Sequence, residues 1–511
     1  MQDNPAIQFD EQRLAKLRQL GEFKIPLYPP EFRRTHTIEE LRTCFNECSH
    51  EPSSEQVVTA GRLYGVRDHG KTFFADLRDE TGRIQLYIKK DALPEGKFQI
   101  FKSCIERGDI IGVHGRVFRT KVGEITIHVD DFTLLTKTLC PLPEKFHGLT
   151  NLEKRYRQRY VDLIVNEESR QIFRTRSSVI SRLRNYLTRD GFLEFETPTL
   201  QPLYGGANAR PFTTFHNFLG QKLYLRIAPE LYLKRLVVGG FEKVFEVAKN
   251  FRNEDIDTSH NPEFTMVEIY QAYADYTDMM SLTESMISSI VRENNNGYEV
   301  SYEETTISYA PPWRVMSMEE AVKTIGGVDI SAHDIDTLKK IGLEKGIGEA
   351  SEQTSHREML ILFFEALVED KLIQPTFITD FPIENSPLAK AHREKEGFVE
   401  RFELFVAGME LANGFSELND PLDQVNRFEA QEEKRRLGDE EAQTHDYDFV
   451  NALGFGMPPT GGVGIGIDRL VMLITGQTSI KEVILFPQMR RELVSTSEND
   501  EDVSASDEKV E

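Results

Sequence analysis

Between residues 56 and 135 apolar and polar positions alternate in five short runs, QVVTAGRLYGV, TFFADLRD, RIQLYIKK, DIIGVHGRVFR and ITIHVDDFTLL, separated by turn signals such as DETG. A period of two predicts half-buried strands, and a helical interruption falls near 91–105. Upstream the period lengthens. Residues 10–20 predict a helix with Asp10 as N-cap, Leu14, Leu17 and Leu20 on one face and Gly21 as the stop. Prolines 26, 29 and 30 then break the chain before a second short helix around 37–48. Beyond about 160 strand and helix patterns mix without βαβ alternation. Between 274 and 400 the pattern is mostly helical, as in TDMMSLTESMISSIVREN and SHREMLILFFEALVED, which predicts an insertion into the surrounding domain. No internal repeat is present.

Five short strands with one helix suit a small barrel such as the OB-fold, with any other small β-domain as the alternative. The mixed pattern that follows predicts an α+β domain with a mixed, mainly antiparallel sheet flanked by helices, and argues against a doubly wound parallel sheet.

Composition narrows the picture. A length of 511 residues implies several structural units, and 39% hydrophobic with 28% charged residues is a folded, water-facing chain. The longest apolar runs, such as MLILFFEALV (359–368), are too short to span a bilayer, so no membrane partner is expected. The opening MQDNPAIQFD lacks a basic and apolar export signal, which makes the cytoplasm the expected compartment. Cys44, Cys48, Cys104 and Cys140 are too scattered for a disulfide framework; Cys44 and Cys48, with His36 and His50 nearby, read as free buried thiols or as a metal site. The net charge of −23 excludes a chain that coats nucleic acid indiscriminately, but the charge is uneven. EKRYRQRY (153–160) predicts a basic linker surface, whereas Glu498, Asp500, Glu501, Asp502, Asp507, Glu508 and Glu511 predict an acidic, disordered tail.

Four stretches carry candidate chemistry. KVFEVAKNFRNEDIDTSHNPEFTMVEIYQAY (243–273) predicts a long hairpin whose second strand puts Phe264, Met266, Glu268 and Tyr270 on one face. With Arg252 and Glu254 ending the partner strand, that face lines a pocket or, equally simply, an exposed surface with cross-strand ion pairs. In RFELFVAGMELANGFSELND (401–420) a turn near Ala407 and Gly408 would set Glu403 across from Glu410, as a Mg²⁺ pair or as two solvated glutamates. APELYLKRLVVGG (228–240) predicts a helix with Pro229 first, Gly239 or Gly240 last, and Glu230 in the first turn, where the dipole favours a carboxylate whatever its role. GGVGIGIDRL (461–470) is glycine-rich but has neither the Walker A nor the dinucleotide-fold spacing.

Together these stretches resemble the class II aminoacyl-tRNA synthetases. DGFLEFETPTL (190–200), with Pro198, is similar to motif 1, FRNEDIDTSHNPEF to motif 2 and GVGIGIDRL to motif 3. HGLTNLEKRYRQRYVDL, GGANARPF, RIAPELYLKRL and NGFSELND bring the resemblance closest to the bacterial-type class II lysyl-tRNA synthetases, over residues 10 to about 490. The resemblance implies a helical segment (1–55), an OB-fold anticodon-binding domain (56–138), a basic linker (139–160), a catalytic domain (161–490; motif 1 at 190–200, motif 2 at 243–273, motif 3 at 461–474) and the tail (491–511). It implies that lysine is activated with ATP and transferred to tRNA(Lys) by a homodimer.

Site roles follow by the same resemblance. Arg252 and Arg469 are the catalytic arginines. ATP falls to Arg252, Glu254, His260, Asn261, Phe264, Glu403, Glu410, Gly466 and Arg469, with Arg469 and Phe264 on either side of adenine. Mg²⁺ falls to Glu403 and Glu410. Lysine falls to Gly206, Glu230, Arg252, Glu268, Tyr270, Asn413, Phe415 and Glu417, and the anticodon to Arg67, Phe74 and Gln85. Aspartyl and asparaginyl relatives typically carry arginine where this chain has Glu417, so the pocket has the sign an ammonium requires. The sequence departs from some relatives at Ser259, where they have arginine, and at Gly461, where many have alanine. A silent nucleic-acid-binding paralogue, a protein-lysylating relative and an aspartyl or asparaginyl enzyme are the rival readings.

Overall fold

The structure, a computed structural model, describes residues 9–143, 149–438 and 445–490. The acidic tail and part of the expected linker therefore lie outside the described residues. The chain divides into two compact units at Thr150/Asn151.

In the first unit β1 (Val57–Asp68), β2 (Thr72–Arg78), β3 (Arg83–Lys89), β4 (Ile110–Arg119) and β5 (Ile125–Thr136) close into a barrel in the order β1-β2-β3-β5-β4. Only β3 and β5 pair in parallel. Alternation sends Ile84, Leu86 and Ile88 inward, while Arg83, Gln85 and Tyr87 remain outside. The interrupting helix, Lys97–Cys104, plugs one end by setting Phe98 and Phe101 against Phe73, with ring centroids 5.3 and 5.2 Å apart. The segment expected as a separate helical piece shares this core: Leu20 and Leu41, from helices Glu11–Glu22 and Ile38–Cys44, are fully buried in it. Gly21 lies inside the last turn of its helix, which Phe23 closes. Cys44 is exposed, not buried, and Cys104 is the cysteine that joins the core.

In the second unit the first strand is β6 (Leu193–Glu194), followed by a small sheet of β7 (Leu200–Gln201), β8 (Thr213–His216) and β9 (Gln221–Leu225). β10 (Lys243–Phe251) and β11 (Glu263–Ala272) form the long hairpin, and β12 (Glu299–Tyr302) pairs with β13 (Thr305–Ser308). β14 (Arg314–Ser317), β15 (Thr376–Pro382), β16 (Phe398–Val406), β17 (Met409–Ser416) and β18 (Thr460–Gly466) complete an eight-stranded sheet in the order β14-β15-β16-β17-β18-β11-β10-β6. It is antiparallel except at its two ends, where β14 pairs with β15 and β10 with β6 in parallel. Helices Glu167–Arg189, Tyr276–Asn295 and Ile467–Thr475 bury Val179, Leu183, Met286, Ile287, Leu470 and Leu473 in one core with Phe245, Val267 and Ile465.

Two expectations need correction. The stretch 274–400 is not simply a helical insertion, because β14 and β15 within it are strands of the main sheet. TFITDFP is buried along its whole length, so it shows no alternation from which a strand could be read. The basic linker also ends earlier, since Asn151 opens the second unit. Its arginines are not a free basic surface: Arg159 is fully buried on Asp162, Arg155 bridges Asp162 and Glu482, and Arg157 pairs with Glu153. Burial without acidic partners would be prohibitive for these charges, so they staple the unit's first residues to its last.

Candidate active site

The face of the sheet opposite the helical core carries a cavity of about 400 Å³, the size of a small-molecule site. Phe264, Met266, Glu268 and Tyr270 of β11 all line it, as their shared face requires, while Val267 and Ile269 point into the core. Glu268 and Tyr270 are buried, and the phenol donates to the Glu268 carboxylate at 2.9 Å. Burial and the nearby Glu230 push Glu268 up to about 8, against an ordinary value near 4.5. Burial and three surrounding glutamates likewise keep Tyr270 protonated.

β18 shows what its glycines touch. Gly462 sits in register between Tyr270 of β11 and Phe415 of β17, and a Cβ there would sit 2.0 Å from Oε1 of Glu417 and 2.6 Å from the Tyr270 ring. A Cβ at Gly464 would meet Met266 at 3.1 Å, whereas at Gly466 the nearest atom is 3.7 Å away. The first two glycines thus make room for pocket side chains, and at the last a Cβ would make only ordinary contacts. Asp468 is a clamp: its carboxylate accepts from the backbone N–H of Thr265 at 2.6 Å and from Arg176 at 2.5 Å, fixing the helix start against β11. Arg469, next along, donates to the Glu410 carbonyl at 2.5 Å and lies 3.2 Å from Nε2 of His260.

In the hairpin loop, Arg252 lies in the cavity with its guanidinium 5.0 Å from the centre of the Phe264 ring. Burial weakens its hold on its proton, while Glu254, Glu410 and Glu268 strengthen it; a guanidinium so placed stays charged. Its buried Nε has no hydrogen-bond partner, which leaves a donor for a ligand. His260 is oriented by Asp257, which accepts from its backbone N–H and meets Nδ1 at 2.8 Å. Asn261 donates to the Glu263 carbonyl, and its side-chain oxygen is buried without a partner.

β16 and β17 bring a third group. The turn does fall at Ala407–Gly408, both with positive φ, but Glu403 pairs with Asn413 and Glu410 with Phe405. The expectation that the two carboxylates stand directly across from one another is therefore corrected. A bulge between Leu404 and Phe405 adds a residue to β17 and reverses its alternation, which puts Glu410 on the cavity side with Glu403. Burial and the Glu410 charge push Glu403 up to about 8. Arg401, which sequence reasoning missed, donates to Asn413 at 3.1 Å and pairs with Glu403 at 2.5 Å. Nothing in its local pattern marked it; the signal is only that it shares a strand face with Glu403.

The fourth wall is helix Glu230–Val238, with Pro229 as the N-cap residue and not the first helical one. Glu230 lies against Gly206, whose φ is +88° and where an added Cβ would sit 3.0 Å from the Glu230 Cβ, so a larger residue would be strained and crowded. Lys234, one turn on, is fully buried; its ammonium is 2.5 Å from Oε1 of Glu230 and also pairs with Oε2 of Glu417. Its ring neighbours are Phe415 at 5.3 Å and Phe449 at 5.9 Å. Sequence reasoning passed over Lys234, because a Glu–Lys pair four apart on a helix usually marks a solvated face.

In the barrel unit, Phe73 is buried and Phe74 faces outward, half-buried, its ring 5.1 Å from that of Tyr87. Arg67 pairs in register with Phe74, and Gln85 with Asp76. Asp76 holds Arg67 at 3.8 Å and Arg83 at 2.8 Å, and Gln85 accepts from Thr126 at 3.1 Å. Tyr87, with Phe118 and His128 around it, extends the aromatic surface beyond the expected three residues.

A cavity holding an unsatisfied arginine donor, paired acidic groups and a glycine-floored pocket agrees with one family model, "tRNA synthetases class II (D, K and N)", which matches residues 151–490. The chain belongs to this family. Residues 57–135 of this synthetase match a second model, an OB-fold nucleic acid binding domain. A lysine–tRNA ligase of Methanospirillum hungatei is 81% identical to it over 501 residues, covering 98% of this chain and 99% of its own length. A lysine–tRNA ligase of Methanoculleus marisnigri is 62% identical, covering 94% and 95%, and one of Syntrophomonas wolfei 51%, covering 94% and 96%. Among the described residues of the synthetase, no helix is long and apolar enough to cross a membrane.

Proposed function

We infer that this synthetase activates lysine with ATP, forming lysyl-adenylate and pyrophosphate, and transfers the lysyl group to the 3′ end of tRNA(Lys). The observation that carries the choice of lysine is the buried carboxylate of Glu417, which offers Oε1 to the cavity beside Tyr270 and Glu268. An ammonium desolvated there meets acidic partners, and the side-chain carboxylate of aspartate would meet like charge.

The first step is an attack by the lysine carboxylate on the α-phosphorus, with the bond to the pyrophosphate oxygen breaking as the new one forms. The carboxylate is ionised at neutral pH, so no general base is required. Alignment and charge neutralisation remain. Arg252 supplies them between carboxylate and α-phosphate, supported by its free Nε donor. Glu254, His260, Asn261, Gly466 and Arg469 receive ATP, with Phe264 under adenine. Gly206 and Glu230 take the α-ammonium, Asn413 the carboxylate, Phe415 the methylene chain, and Glu417, Tyr270 and Glu268 the ε-ammonium. Glu403 and Glu410 suit Mg²⁺, because their mutual repulsion, only partly offset by Arg401 on Glu403, favours a further cation between them. Bound there, Mg²⁺ would neutralise phosphate charge.

The barrel's outward Phe74 and Tyr87 suit stacked anticodon bases, with Gln85 and Arg67 beside them for identity. A homodimer is supported by Leu193, Leu200, Leu203, Phe215 and Phe218, large apolar side chains exposed on and next to the motif 1 strands. A tRNA substrate supports the cytoplasm as the site of the activity.

The test is amino-acid-dependent exchange of pyrophosphate into ATP with Mg²⁺ and no tRNA. Lysine alone is expected to drive it. Exchange driven by aspartate or asparagine would overturn the assignment of the pocket.

A further inference from the structure

Lys234 is a buried charged group that the reaction itself does not use. It occupies a special place: three buried carboxylates, Glu230, Glu268 and Glu417, surround the amino-acid end of the cavity, and Lys234 is the one ammonium among them. It contacts two of the three with one oxygen each. Glu230 gives Oε1 to Lys234 and turns Oε2 toward Gly206; Glu417 gives Oε2 to Lys234 and turns Oε1 toward Gly462 and Tyr270. The second oxygen of each glutamate is thereby left for a ligand, one at either end of the amino-acid pocket.

We propose that Lys234 is a positioning residue that sets lysine specificity: one buried ammonium ties Glu230 and Glu417 together and so fixes the spacing of the two sites that grip the α- and ε-ammonium groups of the substrate. The inference rests on the reading of this pocket as the lysine site. The geometry matches the substrate: Glu230 and Glu417 each keep one oxygen clear of Lys234, and lysine brings two ammonium groups. Burial opposes the charged form of Lys234, but Glu230 and Glu417 outweigh it and hold its pKa above the ordinary lysine value, so the tie is an ammonium. The rings of Phe415 and Phe449 pack around that ammonium, screen it from water and add cation–π attraction. A diamino acid one methylene shorter could reach one of the two free oxygens but not both.

The experiment compares wild type with Lys234→Met and Lys234→Arg in pyrophosphate exchange, using lysine and ornithine. Methionine keeps the volume and the apolar contacts but removes the tie. Its KM for lysine is expected to rise at least about 100-fold, as when one partner of a buried ion pair is lost, while its KM for ATP stays within about threefold. The preference for lysine over ornithine is expected to fall by at least about tenfold, the effect of one methylene. A side chain that only fills space would be replaced by methionine without either change, and wild-type values in a folded Lys234→Met protein would overturn the proposal. Should that variant fail to fold, Lys234→Arg decides. It keeps the charge, but its larger planar fork spreads the two carboxylates, so the lysine-to-ornithine preference must shift by about tenfold; an unchanged preference overturns the proposal. If wild type itself shows no lysine-dependent exchange, the reading of the pocket fails instead.

Discussion

Replacing Gly462 by alanine isolates the contribution of one missing methyl group to the pocket. The residue lies in β18, hydrogen-bonded on both sides to β11 and β17, so the strand cannot retreat. Its backbone is not in the left-handed region, so alanine brings no conformational penalty and its whole effect is spatial. The new Cβ would lie 2.0 Å from Oε1 of Glu417 and 2.6 Å from Cε1 of Tyr270, where ordinary contact begins near 3.4 Å. Glu417 must yield by about 1.4 Å, and it is held from behind by Lys234. Overpacking of this kind costs about 1–3 kcal/mol, which corresponds to a loss of lysine affinity from about fivefold to somewhat over a hundredfold. Lysine-dependent pyrophosphate exchange reads the effect as a rise in the KM for lysine, with the KM for ATP unchanged. Gly466→Ala is the matched control: its Cβ meets nothing closer than 3.7 Å, so the fold accepts it and any defect appears in the KM for ATP. A Gly462→Ala protein with wild-type lysine KM would refute the claim that this strand is glycine-rich because the lysine pocket needs the space.

Glu417→Gln removes one of two carboxylates on a buried ammonium and should weaken lysine binding by about 3 kcal/mol or more, seen as near-loss of exchange at ordinary lysine concentrations; retention of activity would move the ε-ammonium site elsewhere. The free site holds a proton on Glu268 up to about pH 8, and an incoming ammonium needs that carboxylate ionised. The KM for lysine should therefore fall as pH rises from 6 to 8, by up to about tenfold per unit, then level; a flat profile would assign Glu268 no charged role. Phe74→Ala should cost tRNA charging about 1–3 kcal/mol while sparing exchange, and unchanged charging would remove Phe74 from the reading surface.

Much of this molecule is legible one residue at a time, because strands and helices impose short periods. The period of two along 263–272 is enough to put Glu268 and Tyr270 on one face, and the same rule separates Phe73 from Phe74 in the barrel. The motifs likewise mark Arg252, Glu417 and Arg469, all of which line the same cavity. β15 escapes because a strand buried on both faces has no alternation to show.

What the sequence by itself determined, then, is most of the elements and the family, since each rests on local spacing or on residues recognisable as a motif. Partners far apart in the chain were decided only by the tertiary structure. The bulge that turns Glu410 toward Glu403 depends on a register set by three neighbouring strands. The arginines of EKRYRQRY read as a basic surface until Glu482 and Asp162 close on them. Nothing local singles out Lys234 until Glu417 and two phenylalanine rings enclose it. In each case a charge acquires its meaning from what excludes water around it, and burial is a property of the packed chain, not of any stretch along it.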